Sequence, residues 1–286
     1  MLPEPRAGKV ARFGLSDSDL DFVVREAGQE LSDSAREKLR LSVRQDPKFR
    51  RALVGDERVF RRVVSDQDIL LKISPRLYFE VLLRRALTDL EKESHTIERI
   101  GQGRIPVFDS EAVVTLLSRE DVLEYLADML SSFTRIESHA MYLRVRAGVW
   151  RTIRFSDIDI DALRRLCEVT AEEKRFGLYK RISDVCLFIS GMFPEYGWFD
   201  YGYAAPAPPG TGIWRWRWSI QDYEEEGRRF YKLASNHRDA ALLNLAGALH
   251  ELHERFHLAR KCLEYVSTRF LQFRKEELFR SPDRPP

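Results

Sequence analysis

The chain has 286 residues, and its 47 Lys and Arg nearly balance 45 Asp and Glu, leaving a formal net charge of +2. That length buries a full core without disulfides or a structural metal, and that balance excludes the global basic excess of a dedicated nucleic-acid binder, so any polyanion site has to be local. Three cysteines without a CxxC pair give neither a disulfide framework nor a thiolate zinc site, no run of 18 apolar residues occurs, and the first residues lack the apolar core of a signal peptide, which together point to a cytoplasmic protein with no membrane partner.

Residues 1–15 read as an arm punctuated by Pro and Gly. Ser16 and Ser18 offer N-caps for a short helix carrying Leu20, Val23, Val24 and Ala27, stopped by Gly28, and Ser32 caps a second. From Arg36 to Arg62, ten basic residues face four acidic ones, the most basic stretch of the chain. Arg50 and Arg51 lie in it and are candidate contacts for a macromolecule, either a protein or the phosphates of a nucleic acid. A solvated face accounts for the same charges.

Ser74-Pro75 is a cap followed by proline at the first turn, and Leu77, Val81, Leu82, Ala86, Leu87 and Leu90 give the helix a buried stripe to about Glu93. Gly101-Gln102-Gly103 is too sparse for a phosphate loop and reads as a turn. Asp109 is expected to cap a short helix, and Ser118-Arg119-Glu120-Asp121 resembles a capping box opening another. Between Met141 and Phe155 the period falls to two around Gly148, which predicts a small β-hairpin with arginines on its polar face.

Ser156 is expected to cap the next helix, which turns Ile160, Leu163, Leu166 and Cys167 inward. A broad apolar face from Leu178 to Phe193 then predicts a central helix, and Asp184 within it needs a partner if buried. Residues 195–212 form a long Pro-, Gly- and Tyr-rich loop, followed by Trp214-Arg215-Trp216-Arg217-Trp218, whose strict alternation as a strand places three indoles on one face and two guanidiniums on the other. Such a surface can contact a protein or stack single-stranded bases, and it can equally cap a helical core.

Ser219 and Asp222 start a helix that ends near Asn236. From Leu242 to Phe270, apolar residues at alternating steps of three and four (Leu245, Leu249, Leu252, Phe256, Ala259, Leu263, Val266) predict one unbroken helix of roughly 40 Å. Inside it, His253-Glu254-Arg255-Phe256-His257 matches the zinc-hydrolase signature of two histidines one turn apart beside a glutamate base. The seam turns both histidines away from the core, and Arg255 puts a fixed cation inside the motif.

Several stretches resemble an uncharacterised family of bacterial cytosolic helical proteins: Ser74-Pro75-Arg76-Leu77-Tyr78-Phe79, Ile105-Pro106-Val107-Phe108-Asp109, Tyr125 to Leu130, Leu187 to Pro194, Phe230 to Ala234, and Arg255-Phe256 to Phe270. The resemblance spans roughly residues 74–271. It implies a helical cytosolic protein and brings no established activity with it.

The fold expected is mainly α, a multi-helix bundle with a small β-hairpin and a short Trp-rich strand. Residues 1–65 are a basic helical segment, 66–275 the main helical domain and 276–286 a tail. The expected function is a non-catalytic bacterial regulatory or adaptor protein that binds another macromolecule, most simply a protein, through Trp214, Arg215, Trp216, Arg217 and Trp218, helped by Arg50 and Arg51. No cofactor or catalytic residue is required by that reading. Two alternatives stand beside it: a zinc-dependent hydrolase built on His253, Glu254 and His257, and a nucleic-acid binder.

Overall fold

The structure, a computed structural model, describes residues 15–100, 103–107, 109–135, 138–146, 149–194 and 218–279. The expected arm, the aromatic loop, residues Trp214 to Arg217 and the tail from 280 onward lie outside the described residues.

Four short helices open the chain: α1 (Asp17–Ala27), α2 (Asp33–Gln45), α3 (Pro47–Val54) and α4 (Glu57–Ser65). The side chain of Ser16 accepts from the Asp19 amide while Asp19 reaches back to the Ser16 amide, a complete capping box, and Ser32, Asp46 and Asp56 cap the next three. Their apolar sides are not a core of their own. Phe22, Val23, Val54, Val59 and Val63 belong to the same buried cluster as the rest of the molecule, with only Leu20, Val24 and Val43 forming a small satellite.

Helix α5 (Pro75–Leu90) begins at the Ser74 cap and packs against α7 (Glu120–Ser132). Between them come a two-stranded ribbon, β1 (Thr96–Ile100) with β2 (Gly103–Val107), and α6 (Ser110–Leu117). Gly101 and Gln102 lie outside the described residues, and the strands on either side of them pair as an antiparallel ribbon that the sequence hides because Glu98, Arg99 and Arg104 interrupt any apolar alternation. Neither cap foreseen here forms. The Asp109 carboxylate accepts instead from Thr96 and Lys261, and α7 starts at Arg119 with no side-chain cap.

The second hairpin, β3 (Ser138–Arg146) with β4 (Val149–Ser156), is present as expected, with a register shift between Arg144 and Arg146. Its register sets Arg151 opposite Leu143 and Arg154 opposite Ala140. In α8 (Ile160–Val169) the cap is Asp159, whose side chain accepts from the Ala162 amide, rather than Ser156.

Helix α9 (Phe176–Met192) is the axis of the bundle, and every residue from 182 to 192 is buried, the mark of a helix packed on all sides. It touches α8, α10 (Ile220–Asn236) and α13 (Phe256–Arg269). The predicted 40 Å helix, by contrast, is three pieces. After α11 (Arg238–Leu242), Asn244 takes a left-handed φ of 57°, α12 (Ala246–Glu254) follows, and Arg255 at φ −121°, ψ 35° separates it from α13. The apolar register survives because Leu249, Leu252, Phe256, Ala259, Leu263 and Val266 are all buried, but α12 serves α10 and α7 while α13 serves α9, α6 and α5. A one-turn helix, α14 (Lys275–Leu278), closes the chain on the body, with Phe279 stacked against Phe79. Among the described residues no helix is long and apolar enough to cross a membrane.

Candidate functional site

The break at Arg255 divides the zinc-like motif. His253 and Glu254 end α12, and His257 lies beyond the interruption on α13, exposed. His253 Nδ1 donates to the Arg228 carbonyl at 3.0 Å, and Arg228 Nε donates back to the His253 carbonyl at 3.2 Å, so the ring is a clasp between α12 and α10. Its other nitrogen lies 3.3 Å from Glu254. Among the described residues no group of three His, Cys, Asp or Glu side chains is gathered as a metal site.

The basic segment is partly paired with acids from the rest of the chain. Arg40 pairs with Asp21 and Arg44 with Asp17, both on α1; Arg61 pairs with Glu57 and Arg62 with Asp66. Arg51 reaches across to Glu120 at 3.2 Å and Glu124 at 3.4 Å on α7. From there the charges alternate along α5 and α7: Arg84 holds Glu120 and Glu80, and Arg76 holds Glu80 at 2.9 Å and Asp128 at 2.6 Å. Burial raises the Glu124 carboxyl above its usual range, with the nearby Glu80 charge adding to it, and burial raises Asp128 likewise against the pull of Arg76.

At the far end of this array sits Asp184, almost fully buried on α9. Tyr125 of α7 and Tyr231 of α10 both donate to its Oδ1, at 2.6 and 2.9 Å, while Lys180 one turn back binds Oδ2 at 2.6 Å and lies over the Tyr125 ring. Burial pushes both phenols well above their usual range, and the Asp184 charge adds to this. The partner that a buried Asp184 requires is thus threefold. This centre joins three helices, with Asp184 and both phenols buried and Lys180 at its edge, which suits cohesion.

Of the Trp-Arg run, Trp218 alone is described. It is half-buried against the core, 5.4 Å from the Tyr223 ring at the capping-boxed start of α10. The three cysteines are free and buried; burial pushes the Cys262 thiol up to about 12, far from a reactive thiolate.

What the sequence reading passed over is apolar. Leu71 is 86% exposed and Phe273 93% exposed, each on a turn whose neighbours Ile69, Ile73 and Leu271 are buried. Asp66 ties the two turns together: its carboxylate takes Lys72 at 2.6 Å, which holds it below its usual range, and its carbonyl takes Arg274 at 2.8 Å. Two signals were present, the triple Ile69-Leu70-Leu71 and Phe273 just beyond the end of the seam, but neither reveals which side chain faces out.

The fold is thus a mainly α bundle with two small ribbons. Compared with protein-family models, with curated proteins and with solved structures, the chain matches none of them.

Proposed function

We propose that the chain is a non-catalytic regulatory or adaptor protein whose partner is another protein, contacted through the run Trp214 to Trp218. The observation that carries this reading is the internal commitment of charge. Arg40, Arg44, Arg51 and Arg62 each hold an acid from outside the basic segment, which lowers the excess that phosphate binding draws on. Trp218, packed on Tyr223, supplies a fixed root from which the preceding indoles reach a partner. A cytoplasmic location belongs to the same proposal, supported by three free, buried thiols.

Affinity capture with the full chain from nuclease-treated extract of the native host tests it. A discrete protein should be retained at physiological salt and lost with Trp216→Ala. Salt-dependent binding of single-stranded DNA or RNA, lost when Trp216 is replaced or when Arg50 and Arg51 are neutralised, would transfer the assignment to nucleic acid.

A further inference from the structure

The β3–β4 ribbon differs from the rest of the chain in its charge. From Ser138 to Ser156 the sequence holds Arg144, Arg146, Arg151 and Arg154 and no Asp or Glu, a formal +4 within a chain whose total is +2. The acids that flank it in sequence are Glu137 and Asp157, and Asp157 is held by Arg181 at 2.5 Å. β3 and β4 pair as a sheet of their own; among the described residues no third strand joins them and no helix packs extensively along either. A two-stranded ribbon is at best marginally stable alone in water, so strands of nine and eight residues that the bundle does not cover point to a contact with another molecule.

The register spreads the cations along the ribbon. Arg154 is set opposite Ala140, Arg151 opposite Leu143, Arg144 opposite Trp150 and Arg146 opposite Val149. The five steps from Val149 to Arg154 cover about 17 Å at roughly 3.4 Å per residue, so the charges recur along a line rather than gather at one point. A line of cations matches a linear polyanion. All four are arginines, whose planar guanidinium binds phosphate in bidentate fashion, and the balance of the whole chain requires any polyanion site to be local. Shape narrows the choice further. Two strands about 4.8 Å apart make a ribbon that fits the major groove of B-form DNA, about 12 Å wide, whereas the major groove of duplex RNA is too deep and narrow to admit it. An acidic protein would call for the same charge but not for this shape.

We infer that the β3–β4 ribbon binds duplex DNA, entering the major groove and neutralising phosphates through Arg144, Arg146, Arg151 and Arg154. This site uses none of Trp214 to Trp218, Arg50 or Arg51, so it adds to the protein-contacting surface and either assignment can fail without the other.

Fluorescence anisotropy of the full chain with a labelled mixed-sequence duplex of about two helical turns is the test. With four phosphates neutralised, affinity should fall about 150-fold between roughly 50 and 200 mM salt; in the double variant Arg151→Gln, Arg154→Gln binding should be weaker throughout and fall only about 12-fold. Arg151→Lys, Arg154→Lys should keep the salt dependence of the parent, which separates lost charge from a misfolded ribbon. Arg50→Gln with Arg51→Gln, and Trp216→Ala, should bind the duplex like the parent. A parent that does not bind at the lowest salt, or a double Gln variant with the parent's salt dependence, overturns the inference, and equal affinity for duplex RNA overturns groove entry. Binding to polyglutamate that needs these arginines, with none to the duplex, would overturn it in favour of an acidic protein; the same result with phosphatidylserine vesicles would overturn it in favour of a lipid surface.

Discussion

Gly227 lies directly against the ring of Phe256: a Cβ added at this glycine would fall 2.4 Å from ring carbon Cε2, and 3.0 Å from Cys186 Cβ on the other side. The contact closes α10 onto both α13 and α9. Gly191 does the same between α9 and α13, where an added Cβ would meet Leu263 Cβ at 2.7 Å. Alanine at a helical glycine ordinarily gains up to about 1 kcal/mol. At these two positions overpacking should reverse the sign, with Gly227→Ala and Gly191→Ala each destabilising by about 1–3 kcal/mol. Gly177, in the first turn of α9, has nothing within 4 Å of an added Cβ. Gly177→Ala should stabilise by roughly 0.5–1 kcal/mol. Urea denaturation of the three variants checks both signs in one experiment.

Asp184 anchors the same helices through polar contacts. Tyr125→Phe and Tyr231→Phe each remove one donor from Oδ1 and should cost about 1–2 kcal/mol. The double replacement should cost more than the sum. While either phenol remains, Oδ1 is served; with neither, a buried carboxylate oxygen is stranded and only Oδ2 keeps Lys180. A double-mutant cycle in urea gives the coupling, and strict additivity would show that the two hydroxyls act independently.

Helix boundaries were legible wherever local chemistry decides them. Ser16 with Asp19, Ser74 with Pro75, and Ser219 with Asp222 act where the sequence places them. Asp109 failed as a cap for a reason outside local sequence, since Lys261, far along the chain, claims its carboxylate, and the Ser118 hydroxyl donates back to the Thr115 carbonyl instead. The unbroken seam was misread because periodicity records which residues face inward, not which neighbour they meet, and the partners change at Arg255. The basic segment was legible as charge but not as pairing. A window from 36 to 62 cannot see Asp17, Asp21, Glu120 and Glu124, which fold onto it. Leu71 and Phe273 were invisible because composition alone does not separate an apolar side chain that is buried from one held out on a pinned turn.

The carboxylates make opposite contributions as pH changes. At Asp109, burial works to raise the carboxyl, but the Lys261 ammonium and the Thr96 hydroxyl overcome it and hold it low. Its folded value lies below its unfolded one, so it stabilises above the ordinary aspartate range, and that stability is lost as pH falls through the folded value. Glu124 is raised, so the native state binds its proton more tightly than the unfolded chain, and stability falls as pH climbs through the interval above the ordinary glutamate range. Asp109→Asn should therefore destabilise at neutral pH, with a deficit that shrinks in acid. Glu124→Gln should be neutral or stabilising by under about 1 kcal/mol at pH 7, with a gain that fades in acid. Stability curves from pH 3 to 8 for parent and variants decide this, and a Glu124→Gln loss that persists at every pH would assign that residue a packing role.

The zinc reading can be decided on the intact chain. A hydrolytic site needs two histidine nitrogens converging on one ion with a third ligand and an open position. Here the Nδ1 proton of His253 is spent on the Arg228 carbonyl, Nε2 faces Glu254, and His257 stands beyond the break at Arg255. Protein purified without chelator and analysed for metal should contain well under one zinc per chain, and added zinc should leave the melting temperature unchanged. Glu254→Gln, at an exposed residue, should alter neither stability nor partner capture. His253→Ala, in contrast, should destabilise by about 0.5–1.5 kcal/mol, because it opens the clasp between α12 and α10. Stoichiometric zinc that is lost with either His253→Ala or His257→Ala would require the two halves of the motif to come together in solution, and would restore the hydrolase reading.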